Sequence, residues 1–142
     1  HDQAQIRLIK GRIAAKHRKW AVSHQLFTEA AEILREHPRW FIKANIAEQK
    51  GLTWLQQGHY EQAITNFKQA LDYYQITKSA IGLNATRLHL ASAWFYLGEK
   101  ETSQMYFQMA KNHIEQIQLE FLYSMLQNYS EILTLNEESL YE

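Results

Sequence analysis

The chain matches itself at a shift of 40 residues, and few architectures can accommodate such a period. Aligned at that shift, the columns read Gly11/Gly51/Ala91, Ala14/Trp54/Trp94, Trp20/Tyr60/Lys100, Ser23/Ala63/Ser103, Phe27/Phe67/Phe107 and Ala30/Ala70/Ala110. The columns are small or aromatic, the residue types that decide how closely two helices approach and what fills the wedge between them. One unit of this kind cannot bury both its faces, so stacked copies form the folding unit.

Within each period the apolar spacing is helical. Ile6, Ile9 and Ile13 make one stripe over residues 3–16. The basic corner Lys16-His17-Arg18-Lys19 follows, and a second helix is predicted from Trp20 to Glu36 with Phe27, Ala30, Ala31 and Leu34 on one side. Pro38 suits the first turn of the third helix, which closes near Gln57 at Gly58, a left-handed cap position. The fourth helix is expected over Tyr60–Thr77, the fifth over Ile81–Leu97 before Gly98, and the sixth over Lys100–Ile117. A seventh, about 119–136, carries Leu122, Met125, Leu126, Tyr129, Ile132 and Leu133 on one stripe.

Composition agrees. A hydrophobic content of 46% rules out a disordered tail, and one proline with five glycines leaves room for long helices. There is no cysteine, hence no disulfide or thiolate chemistry. No run reaches the ~20 apolar residues of a membrane span, and with no signal peptide the expected location is cytoplasmic. The chain opens on His1 rather than Met, which reads as a piece of something longer.

The second period carries the signature Gly58, Tyr60, Ala63, Phe67, Ala70, Leu71, with Gly51 and Trp54 in its first helix. In this the chain resembles the tetratricopeptide repeat family, in a variant with a 40-residue period. The third period matches through Leu90, Ala91, Trp94, Gly98, Phe107 and Ala110, with Lys100 for the aromatic and Ser103 for the alanine. The first is looser: Gly11, Trp20, Ser23, Phe27 and Ala30 match, but Lys10 stands at the usual leucine. The resemblance implies an all-α fold, a right-handed superhelix of antiparallel helix pairs. It implies a single domain over residues 1–142, with repeats at about 4–37, 44–77 and 84–117 and a capping helix at about 119–136.

It also implies a function: binding a peptide or protein segment in the concave groove lined by the first helix of each repeat. By register the groove residues are Gln5, Leu8, Arg12 and Lys16, then Asn45, Gln49, Leu52 and Gln56, then Leu88, His89, Ser92, Phe95 and Tyr96, with Asn128 and Ile132 on the cap. A sensory or regulatory domain of a signalling protein or transcription regulator, answering to a peptide or small ligand, is the alternative. The family's carboxylate clamp for chaperone tails is absent, since its positions hold Leu8, Arg12, Gln49, Ala85 and His89.

Other chemistries lack their residues. The seven histidines include no H-x3-H pair and no accompanying carboxylate at ligand spacing, so no metal or cofactor is expected. There is no Gly-x-Ser-x-Gly turn and no glycine-rich phosphate loop, so an enzyme is not expected. Up to Lys43 there are nine Lys/Arg against four acids, and from Asn112 onward six glutamates and no Lys or Arg. Lys10, Arg12, Lys16, Arg18 and Lys19 beside Trp20 have the makings of a phosphate contact. A solvated corner is the commoner meaning of such a run, and cations at a helix C-terminus are favoured by its dipole, so a protein partner is favoured over nucleic acid. The opposed charges of the two ends also allow copies to associate end to end.

Overall fold

A computed structural model describes residues 2–140, with side chains left out at 133 and 135–140. It contains α1 (Gln3–Lys16), α2 (Trp20–Ile33), α3 (Trp40–Gln56), α4 (Tyr60–Thr77), α5 (Ala80–Tyr96) and α6 (Lys100–Leu140). Six helices therefore stand among the described residues, where seven were expected. The sixth and seventh are one: no glycine or proline lies between Ile117 and Phe121, and nothing there stops a helix. The chain divides into two compact units, His1–Ala110 and Lys111–Glu142.

In the first unit each helix from α1 to α5 packs on the next, and α1 and α3, then α3 and α5, also touch. Neighbour-only packing of this kind is the mark of a stacked repeat. The turns repeat as well as the helices do. Arg18, Gly58 and Gly98, one period apart, all have positive φ, at 57°, 80° and 88°. The amide after each donates back to the helix, Lys19 to Ala14, His59 to Trp54 and Glu99 to Trp94, at 2.9–3.0 Å. This is the left-handed helix stop, and a β-carbon is strained there. Arg18 bears that strain where the other two turns use glycine. Asp2 caps α1 through the Gln5 amide at 3.0 Å and Ser79 caps α5 through the Gly82 amide at 3.1 Å. Pro38 is not in the first turn of α3: Arg39 is the cap residue, and the proline precedes it. Likewise α2 ends at Ile33, three residues short of Glu36.

The repeated columns are contacts between the two helices of a pair. A β-carbon added at Gly11 would lie 2.5 Å from the Phe27 ring, and one at Gly51 would lie 2.5 Å from the Phe67 ring. Both rings are fully buried. In the third repeat the glycine is Ala91, and Phe107 is 44% exposed. The serine column explains itself too. The Ser23 hydroxyl donates to the Gly11 carbonyl at 2.8 Å, and that of Ser103 to the Ala91 carbonyl at 2.6 Å. Between repeats, Tyr74 lies flat where Gly82 leaves room for its ring. One period earlier, the smaller Leu34 shares a core with Ile42.

Candidate functional site

The first helix of each pair carries the residues expected in a groove, and the structure divides them into three groups. Arg12, Lys16, Gln49, Leu52 and Gln56 come together. With Ile9, Ile13, Ala15 and Thr53 they line a cavity of ≈ 300 Å³ between α1 and α3. Arg12 and Lys16 are exposed, and neither enters an ion pair among the described residues. Leu52 is half-buried and Gln56 open to solvent, so apolar and amide groups share the cavity wall.

Asn45 and His89 form a second group that faces inward. The Tyr74 hydroxyl lies 2.6 Å from the Asn45 amide and 2.7 Å from the Glu48 carboxylate. Both partners are acceptors, Asn45 Oδ1 and the Glu48 carboxylate, and the phenol's one proton serves one of them at a time. His89 stacks on Phe67 at 5.4 Å and places Nε2 3.4 Å from Glu48. Burial, then the hydrogen bond to Glu48 and its negative charge, push the Tyr74 phenol far above its ordinary pKa. These polar groups are occupied with one another and tie α3, α4 and α5 together.

Leu88, Ser92, Phe95 and Tyr96 make the third group. They line a shallow depression of ≈ 500 Å³ with Ala91, Ser103, Gln104 and Phe107. This depression shares no lining residue with the cavity of Arg12. Tyr96 stacks on Tyr60 with ring centres 5.2 Å apart. The register was also wrong for Leu8, which is buried with Ala4, Phe27, Ala30, Leu34 and Ile46. The groove side of α1 belongs to Ile9 and Ile13, both about half exposed. The column Ala4/Ala44/Asn84, buried in all three repeats, is the signal that sets α1's rotation. Gln5, Asn128 and Ile132 are exposed and line neither depression.

A cavity on the other side of α3, also ≈ 300 Å³, is lined by Glu32, Arg35, Lys43, Lys50 and Tyr73 among others. Two of its three cations are engaged. Arg35 pairs with Glu32 and Glu36, Lys43 sits 4.6 Å above the Trp40 ring, and burial lowers the Lys50 pKa. Among the described residues no group of three His, Asp or Glu is placed to hold a metal ion. No helix among them is long and apolar enough to cross a membrane.

No family model matches this chain, and no curated protein does. Among solved structures, the TPR domain of Arabidopsis FLU superposes with a TM-score of 0.74 at 17% identity. The match covers 80% of this chain and 96% of that one. The fold is that of a tetratricopeptide repeat domain. A tetratricopeptide stack keeps its small and aromatic packing columns while its surface residues vary freely, so low identity with close superposition is what such a pair should show. In the cavity between α1 and α3, Arg12 and Lys16, in no ion pair among the described residues, stand beside apolar surface.

Proposed function

We propose that the tetratricopeptide stack binds an extended protein segment on the first-helix surface between α1 and α3. The observation that carries this is the cavity in which Arg12 and Lys16, free of ion pairs, stand beside Ile9, Ile13 and Leu52. A carboxylate on the segment would meet the two cations, and one aliphatic side chain would sit among the isoleucines and Leu52. The Gln49 and Gln56 amides can donate to and accept from the segment's backbone. A volume of ≈ 300 Å³ lies at the lower end of the range for small-molecule sites, and it suits one or two side chains of a peptide.

The test is a peptide array in which an acidic residue and an aliphatic residue are moved relative to one another, followed by fluorescence anisotropy on the best binders. Arg12→Glu should weaken them by about tenfold or more, because it replaces attraction with like-charge repulsion. Tyr96→Ala, in the other depression, should leave them unchanged. Binders insensitive to Arg12→Glu would place the site elsewhere.

A further inference from the structure

The second unit holds a helix whose apolar side is uncovered. Among the described side chains of residues 111–134 only His113 is even half-buried. A single helix without a packed face is marginally stable in water, and a contiguous exposed apolar stripe marks an association surface. Leucine recurs at every seventh residue: 119, 126, 133 and 140. Leu122 and Tyr129 stand three residues after the first two leucines, which completes a 3.5-residue apolar repeat. Met125 and Ile132 flank the same side. These six described seam residues are between 38 and 67% exposed.

We propose that this segment of α6 pairs with the same segment of a second copy, as a short helical seam. Charge placement favours an identical partner. With the leucines at position a of the heptad, Glu120 and Glu131 fall at b and f, on the outer side. The flanking e and g positions from Gln118 to Ile132 are Gln118, Tyr123, Met125, Ser130 and Ile132, all uncharged. In a paired coil the e and g residues face one another, and like charges there would repel. Two copies of residues 118–132 meet without that penalty, and the first charge at such a position is Glu137 in the following heptad. At on the order of 100 Å² for each large side chain, the six residues contribute roughly 600 Å² per copy, near the ~800 Å² per partner of a standard interface.

The third repeat's open edge is a poorer occupant for the same stripe. Residues 119–136 continue α6 with no turn, whereas a first helix must reverse direction after the second helix before it.

The experiment is analytical ultracentrifugation of the whole chain from about 1 to 100 µM, the range in which an interface of this size associates. A dimer should form and persist in ~1 M salt, which screens surface charge beyond about 3 Å. Leu126→Glu should raise its dissociation constant about 100-fold or more, because each copy brings an unpaired charge into the seam. Far-UV circular dichroism should show the repeats intact, since Leu126 is 67% exposed. Asn128→Glu, on the outer side, should leave the dimer unchanged. Three outcomes overturn the proposal: a monomer throughout, a dimer lost in high salt as end-to-end charge association would be, or a dimer broken by Phe107→Glu and indifferent to Leu126→Glu.

Discussion

Adding a methyl group at Gly51 should have opposite signs in two backgrounds. In a helix interior alanine is favoured over glycine by about 1 kcal/mol, so propensity alone makes Gly51→Ala stabilising. The new β-carbon, however, would stand 2.5 Å from two carbons of the Phe67 ring and 3.0 Å from a third. Carbon atoms rest at about 3.5–4.0 Å, so ring or helix has to move by roughly 1 Å. Overpacking of this kind costs about 1–3 kcal/mol, which makes the net change in the native background a loss of up to about 2 kcal/mol. Phe67→Ala by itself should cost about 3–5 kcal/mol, because a fully buried ring is removed. In that background the methyl meets open space, and Gly51→Ala should stabilise by about 1 kcal/mol. The coupling between the two sites is therefore about 1–3 kcal/mol. Urea unfolding of the four proteins, followed by circular dichroism and by the fluorescence of Trp54 and Trp94 in the same core cluster, measures it. Gly51→Ala stabilising by the same amount in both backgrounds would refute the claim that glycine is there for close approach.

Two further outcomes follow from the turns and the first cap. Arg18→Gly should raise stability by up to about 1 kcal/mol by relieving a left-handed β-carbon, whereas Gly58→Ala should lower it by about 1–2 kcal/mol; thermal melts of both measure the pair. Asp2 is held below its ordinary pKa, first by the Arg39 guanidinium hydrogen-bonded to it at 2.6 Å, then by the Gln5 amide. Because the folded value is depressed, its contribution is fully present above the ordinary aspartate pKa and disappears as pH falls through the depressed one. Asp2→Asn should remove that acid-side dependence, seen as a flatter curve of unfolding midpoint against pH below about 4.

Much of the fold was legible because packing residues repeat. The Gly/Phe, Ala/Ala and Ser columns are the places where two helices touch, and physical contact constrains residue size tightly enough to be visible in one chain. Helix ends were legible where a left-handed residue stops the helix, as at Gly58 and Gly98, and illegible at Ile117, where the apolar stripe simply runs on. The site was less legible. Register, which carries from repeat to repeat, put Arg12, Lys16, Gln49, Leu52 and Gln56 on one surface, and these residues line a single cavity. Leu8 was misplaced because Ile6, Ile9 and Ile13 look like a core stripe, while the true core side of α1 is built on the small Ala4, Gly11 and Ala14.

By itself, then, the sequence determined the period, the helical class and the residues that seat one helix on another, since local propensity and contact size are written into each position. Only the tertiary structure decided the rotation of α1, which turns Ile9 and Ile13 outward beside Arg12. It also decided the inward engagement of Asn45 and His89 with Tyr74 and Glu48. Those outcomes depend on which atoms of distant residues meet. A side chain's neighbours along the chain do not reveal them.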